Sequence, residues 1–338
     1  MIAVVGATGY VGRLVVANLL ERKCDVLAIG RNQERLAGLQ TNHPGLRIAV
    51  ASRWDSTEFS ELLHGCDAVI SCAGPFSLVG APIVEGALSA GVHYCDSTGE
   101  FDFIQKVFEQ DSQTRARNIA LVPGVAFEFT LGDLGLAIAA EGLGPIKNAH
   151  IVYSPGTQAT SPAMRNSIFR LVANPTMNFG VDSRTVKIGS RKITGLRIPS
   201  GESLMAPRHL QIKDVKTYHV LGIPAFIVRN LGRLMRTPGI GHVFTRLISR
   251  GPNGPTSKER ATDFGCNIRV ETEDGHSREI ILEGRDAWGF AVRALTTMAI
   301  ALTERSEKIT GARAPAEVVN PRDFLSALRV RITEAKSE

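Results

Sequence analysis

No window of this 338-residue chain reaches about 18 uncharged apolar residues, so a membrane-spanning helix is not expected. Met1 opens directly into the first apolar strand and leaves no room for a signal sequence. We therefore expect a cytoplasmic protein. Cysteine is scarce and odd in number, five in all, with no CxxC spacing; a disulfide framework or zinc ribbon is excluded, and no metal site is expected. Cys66, Cys72 and Cys95 fall on or beside expected buried strands, where a thiol serves as a small apolar residue. There is no internal repeat and no low-complexity linker. None of Tyr10, Tyr94, Tyr153 or Tyr218 has a lysine four residues on, which sets aside the Tyr-x-x-x-Lys chemistry of short-chain dehydrogenases. No basic patch with interleaved aromatics stands out, so nucleic acid is not an expected partner. Acid is missing from 142–181 and again from 215–257.

With 43% hydrophobic and 21% charged residues the chain can bury a sizeable core, and its length suits about two domains. The net charge of +6 is modest. The most informative feature stands at the very start. The apolar run Ile2–Val5 leads into Gly6-Ala7-Thr8-Gly9-Tyr10-Val11-Gly12 and then a helical period to Arg22. A strand, a glycine turn and a helix in this order build an anion site for a dinucleotide pyrophosphate. Gly6 permits the tight turn, Gly9 lets backbone approach the phosphates, and Gly12 lets the helix pack closely on the strand. The helix N-terminus adds N–H groups and the positive end of its dipole. The spacing is GxxGxxG, so the flanking strand and helix carry as much of the argument as the glycines.

Apolar runs alternate with helical periods through the first third. Strands are expected at 2–6, 25–29, 47–51, 67–72, 92–96 and 119–122, and helices at 11–22, 32–40, 56–64, 80–90 and 101–116. Asp55 with Glu58 reads as a capping box opening the third helix. The pattern predicts a doubly wound α/β Rossmann domain over 1–145, completed by a returning helix near 286–330. A second, mixed α/β domain is expected over 146–285 for substrate or oligomerisation. Its expected parts are a strand at 147–154, a helix at 161–172, and β-like pieces at 184–189, 191–198 and 209–213. A hairpin at 265–272 and 277–283 turns through Glu273-Asp274-Gly275.

The second strand ends Gly30-Arg31-Asn32 with no acid until Glu34. An acid there would bind the ribose 2′-hydroxyl of NAD, whereas Arg31, with Arg35 one turn on, offers a fork to the 2′-phosphate of NADP. NADP(H) is therefore the expected cofactor, with Ser52, Arg53 or Trp54 as further adenine-side contacts. Ala73, Gly74, Pro75 and Phe76 after the fourth strand, and Thr98 and Glu100 after the fifth, would face the nicotinamide. Phe76 would cover the dinucleotide. Glu100 also has a plain reading, an acid complementing the dipole of the helix that follows, and Asp96 sits at a strand's carboxyl end. Cys72 has no His or Asn neighbour in sequence to activate it, which sets thiolate chemistry aside. Glu128, Tyr153 and His219 are candidate proton donors, each with a structural reading beside the catalytic one. Arg165 and Arg170 would suit an anionic substrate.

Three blocks carry a family resemblance: GATGYVG at 6–12, CAGPFSLVGAPIVEGALSAGVHYCDSTGE at 72–100, and ALVPGVAFEFTLGDLG at 120–135. They are similar to the saccharopine dehydrogenase-like oxidoreductases, in the branch that includes the mycobacterial trans-acting enoyl reductases. The likeness covers roughly 1–175 and resumes at Glu283–Gly289 and Ala314-Pro315-Ala316. It implies a Rossmann domain, an α/β substrate domain and NADP(H) use. The chain departs from the family where Gly-Phe-Asp and Pro-Ser-Asp-Leu-Gly often stand; here they are Ala126-Phe127-Glu128 and Leu131-Gly132-Asp133-Leu134-Gly135. These readings converge on an NADPH-dependent reductase of a C=C (enoyl) or C=N (imine) bond in a small or carrier-tethered acyl substrate. The alternative is a non-catalytic NADP-binding sensor or assembly protein. The acid-free, apolar and arginine-bearing segment 218–250 is expected to close a homodimer or lie beneath the substrate domain. Its other reading is a surface that meets membrane lipid or an acidic carrier protein.

Overall fold

In the computed structural model, residues 1–157, 160–161, 165–166, 182–220, 254–304 and 309–334 are described. Of the expected helix at 161–172 only residues 161, 165 and 166 are among them; the rest of it, Arg170 included, and the part of the 218–250 segment from 221 on lie outside the described residues. The chain divides into two compact units, Met1–Ala126 with Phe290–Val319, and Phe127–Gly289 with Asn320–Glu338.

The first unit alternates strand and helix: β1 (Ile2–Val5), α1 (Tyr10–Glu21), β2 (Val26–Gly30), α2 (Gln33–Asn42), β3 (Arg47–Val50), α3 (Ser56–Leu63), β4 (Ala68–Ser71), α4 (Phe76–Val79), α5 (Ala81–Ala90), β5 (His93–Asp96), α6 (Phe101–Phe108), α7 (Asp111–Ala116) and β6 (Ala120–Val122). The second unit contributes α8 (Phe127–Ala139), β7 (Ile146–Ser154), β8 (Ser183–Ile188), β9 (Arg191–Arg197), α9 (Glu202–Met205), β10 (Val215–His219), α10 (Ser257–Arg260), β11 (Asp263–Thr272) and β12 (Ser277–Arg285). Then come α11 (Ala287–Glu304), β13 (Gly311–Ala312), α12 (Pro315–Val318), α13 (Pro321–Ala327) and β14 (Arg331–Glu334).

Sheet A is parallel throughout, in the order β13-β6-β5-β4-β1-β2-β3. Its inner strands, such as β1 and β4, are buried at every position. That is why they are short continuous apolar runs rather than alternating ones. Strand order reverses between β1 and β4, making a topological switch point there, and ligands in open α/β sheets bind outside the carboxyl ends at such points.

Sheet B runs β14-β12-β11-β7-β10-β9-β8 and is mixed: β10 is parallel to β7, and the other pairings are antiparallel. The α/β class with a Rossmann unit and a second mixed unit is as read from the sequence.

Local details differ. The expected helices at 80–90 and 101–116 are each joined by a neighbouring short helix or broken in two. The apolar-polar alternation at 209–213 forms no strand: Ile212 makes one isolated bridge to Ile146, and the chain joins the sheet only at β10. The largest shift concerns α8, which falls within the first domain as drawn from sequence but packs on β11 and β12 of the second unit. Gly135 explains how. A Cβ there would stand 2.2 Å from Ile268 Cδ1 and 2.8 Å from Leu282 Cδ1, so glycine lets the helix lie this close to the sheet with those side chains in place. The return to the first unit is correspondingly shorter, Phe290–Val319.

Candidate functional site

The carboxyl ends of β1, β2, β3, β4 and β5 carry the residues singled out for the cofactor. The turn after β1 is stitched to β2, with the Gly6 and Ala7 N–H groups donating to Ile29 O at 2.9 and 3.2 Å. Gly6 has φ +78°, a left-handed backbone that costs other residues energy. A Cβ on it would also meet Ala73 N at 2.9 Å, so the β1 and β4 turns touch at the switch point. Gly12 is required by contact: a Cβ there would lie 2.2 Å from Gly6 O. The N-cap of α1 is Gly9, and no side chain caps the helix. Thr8 and Tyr10 are half-buried beside it. Bare backbone at a helix N-terminus, with the glycines held by close contact, fits a pyrophosphate.

At the end of β2, Arg31 is exposed and its guanidinium carbon lies 5.2 Å from the centroid of the Trp54 ring. Trp54 is itself held, Nε1 donating to Val79 O at 3.0 Å and its ring edge-on to Phe59 at 5.0 Å. The arginine therefore has a fixed aromatic platform. Asn32 spends its side chain capping α2, accepting Arg35 N–H at 2.8 Å. Arg35 is exposed one turn on.

The expected capping box at Asp55 is half formed. Asp55 accepts the Glu58 N–H at 2.7 Å, but the Glu58 carboxylate turns to the N–H groups of Ser52, Arg53 and Trp54 at 2.8, 2.9 and 2.7 Å. It also takes the Ser52 hydroxyl at 3.0 Å, which leaves that hydroxyl engaged within the protein. Burial works against the Glu58 charge, yet these donors outweigh it and hold the carboxyl below its usual range.

Past β4, Ala73, Gly74 and Pro75 are half-buried. Phe76 departs from the expectation that it covers the dinucleotide: its ring is 6% exposed and packs on Phe103 at 5.6 Å, in the core. Burial of a large apolar ring simply wins there. Glu100 takes its plain reading further, accepting the N–H groups of Phe76 and Ser77, both at 2.9 Å, and so capping α4. Thr98 is buried and closes the turn, its N–H donating to Asp96 Oδ1 at 2.8 Å and its hydroxyl accepting Glu100 N–H at 3.1 Å. Asp96 also accepts Tyr94 OH at 2.7 Å and Gly124 N–H at 2.9 Å. Burial nevertheless pushes its carboxyl up to about 6. The Cys72 thiol is pushed up to about 12, first by burial and then by Asp96, which favours its neutral form.

The second unit holds the other candidates. Tyr153 is fully buried on β7 and its hydroxyl donates to Glu202 Oε1; the Ser200 hydroxyl donates to Glu202 Oε2. The pair lies against α8 at Gly132, where a Cβ would come within 1.9 Å of the tyrosine oxygen. Burial raises the Glu202 carboxyl to about 7, against the hydroxyls of Ser200 and Tyr153 that favour its charge. Glu128 stands one helical turn before Gly132 on α8, half-buried, and burial raises it too. His219 ends β10 with its ring 5.0 Å from that of Tyr153. Arg165 donates to Thr160 O at 2.7 Å.

Residues 6–110 match the family model described as NAD(P)H-binding. A trans-acting enoyl reductase of Mycobacterium ulcerans is 27% identical over 203 residues, 52% of this chain and 48% of that protein. A probable mitochondrial saccharopine dehydrogenase-like oxidoreductase of Arabidopsis thaliana is 28% identical over 156 residues, 41% of this chain and 34% of that protein. The saccharopine dehydrogenase (L-Glu forming) of Saccharomyces cerevisiae, in its apo form, shares the fold, with a TM-score of 0.61 over 99% of each chain at 10% identity. The chain is related to the saccharopine dehydrogenase-like oxidoreductases.

The match takes in less than half the length of either curated relative. The cofactor class of the first unit is a nicotinamide dinucleotide, as the family model says. Sequence reasoning did not find Glu202 or Ser200. Glu202 sits on a helix of four residues with no motif around it, and only the register of β7 brings Tyr153 to it. No helix among the described residues is long and apolar enough to cross a membrane.

Proposed function

We propose that this chain is an NADPH-dependent reductase of a C=C or C=N bond in a small or acyl-type substrate. The observation that carries the reading is the switch-point turn. Gly6–Gly12 presents uncapped helical backbone, and the adjoining β2 ends in Arg31 over Trp54 where an NAD-preferring site would hold an acid. The turn would hold the pyrophosphate, and Arg31 would take the 2′-phosphate with its planar fork. Ala73 and Gly74 would let the dinucleotide approach their backbone. When bound, the reduced nicotinamide supplies a hydride. The protein's share is to orient the reactants, exclude water and steady the charge that develops on the substrate.

Within the reading, Glu128 and Tyr153 are the groups of the second unit that would serve proton transfer, the tyrosine backed by Glu202. Glu100 is better suited to fixing the β4 and β5 turns, since both of its oxygens already accept backbone N–H groups. The name of the mycobacterial relative favours the C=C bond over the imine. The test is direct. NADPH and NADH are titrated by fluorescence, then NADPH oxidation is followed with enoyl thioesters, cyclic imines, and 2-oxo acid plus amine pairs. Tight NADPH binding with turnover of one acceptor class supports the reading. Binding without turnover of any acceptor replaces it with the sensor.

A further inference from the structure

Strands β8 and β9 form an antiparallel hairpin at one end of the order of sheet B. From Ser183 to Gly201 the sequence carries Arg184, Lys187, Arg191, Lys192 and Arg197 and no aspartate or glutamate. The hairpin turns through Gly189-Ser190, with Gly189 at φ +57°, and so tight a turn fixes the pairing. That register sets Lys187 directly opposite Lys192, and Thr185 opposite Thr194, so these four side chains share one face. The two threonine hydroxyls bond each other at 2.8 Å. Both lysines are exposed, as is Arg191 beside the turn. Like charges directly opposite one another on paired strands repel. Among the described residues, none of Lys187, Arg191 and Lys192 makes an ion pair. The fold therefore holds three cations together at the hairpin tip without a carboxylate to offset them.

We propose that this face of the β8–β9 hairpin docks on an anionic phospholipid surface, whose headgroups supply the counter-charge for Lys187, Lys192 and Arg191. Such docking is independent of the reductase reading above and uses residues of one unit only. Two features favour headgroups over a protein partner. Protein interfaces are anchored at their centre by aromatic and other large side chains seated in pockets. The stretch 183–201 has no aromatic residue, its Val186, Ile193 and Leu196 are half-buried, and Ile188 is 1% exposed. What the face offers is charge, which suits the diffuse negative layer of a membrane surface. The opposed pair is also lysine. An ammonium on a flexible stem is a point charge that follows mobile headgroups, whereas a planar guanidinium fork suits a fixed carboxylate.

The experiment is vesicle sedimentation with the full chain, using phosphatidylcholine alone and phosphatidylcholine mixed with phosphatidylserine. Wild type should bind the mixed vesicles at about 0.1 M salt and leave them at about 1 M, where the screening length falls to about 3 Å. Each lysine near an anionic surface strengthens partitioning about fivefold, so K187Q/K192Q should bind about 25-fold more weakly. Glutamine keeps much of the stem and relieves the like-charge pair, so the Tm of this variant should not fall. K106Q/K258Q removes the same charge from exposed lysines elsewhere and should stay within about threefold of wild type. Wild type that ignores the mixed vesicles, or binds phosphatidylcholine alone equally well, overturns the assignment. So does a K187Q/K192Q affinity within about threefold of wild type, or an equal loss in K106Q/K258Q, which would trace binding to net charge and not to this face. Retention of wild type on immobilised polyglutamate without vesicle binding also overturns it, and gives the face to an acidic protein.

Discussion

Replacing Glu202 with glutamine keeps the shape and the acceptor for Tyr153 but removes the titrating proton. The Glu202 carboxyl is wholly buried and faces Tyr153 on β7, Cys266 on β11, Glu128 on α8 and the Ser200 hydroxyl, with burial the main force raising it from 4.5 to about 7. The folded chain therefore binds this proton more tightly than the unfolded chain does. That difference stabilises the fold fully below about pH 4.5 and is lost as pH rises through about 7. At about 1.4 kcal/mol per pH unit, the span is worth about 3 kcal/mol. For a unit of this size that equals roughly 6–12 °C in Tm. Thermal unfolding by circular dichroism should find wild type and E202Q separated by some offset at pH 4.5. By pH 8 the difference should have moved in favour of E202Q by up to that amount. Glu128 is raised in the same sense, so a weaker slope should persist in the variant. A wild-type-to-variant difference that stays constant from pH 4.5 to pH 8 would refute the argument, because it would mean that Glu202 does not titrate anomalously in the fold.

Other expectations are as direct. Arg31→Asp should move cofactor preference toward NADH, and an unchanged NADPH/NADH ratio of kcat/KM would remove the arginine from the site. Gly12→Ala should cost about 1–3 kcal/mol and weaken NADPH binding, because its Cβ would lie 2.2 Å from Gly6 O; unaltered Tm and Kd would contradict the close contact. Gly132→Ala should displace the Tyr153 hydroxyl from Glu202; losing a donor that favours the carboxylate should push the carboxyl higher and steepen the pH dependence of Tm, opposite to E202Q. Cys72→Ser should keep turnover, since a thiol held near 12 is not an ionised nucleophile. Loss of all turnover in that variant would reopen thiolate chemistry.

Much of the first unit could be read from the chain because its signals are local. The strand before Gly6, the three glycines and the helix after them lie within one continuous stretch, and alternating strands and helices prescribe a parallel sheet. The Arg31 end of β2 is local too, although the Trp54 platform beneath it depends on Glu58 folding back onto the turn after β3. Local reading was divided where a residue had two uses. Phe76 follows a cofactor-facing turn, but the core claims its ring. Glu100 stands where an acid could do chemistry, but two backbone N–H groups claim both oxygens.

The second unit shows the other side. Nothing near Glu202 in sequence announces it, and Gly132 and Gly135 read as poor helix residues until their contacts are seen. A helix interior ordinarily disfavours glycine by about 1 kcal/mol relative to alanine. Here the absent side chains leave space for Tyr153 and Glu202 at one position, and for Ile268 and Leu282 at the other. Sequence by itself determined the dinucleotide turn and the alternation that builds its sheet, because backbone conformation and periodicity are properties of neighbouring residues. Only tertiary structure decided which buried acids are pushed above their ordinary range, because desolvation is set by residues far apart in the chain.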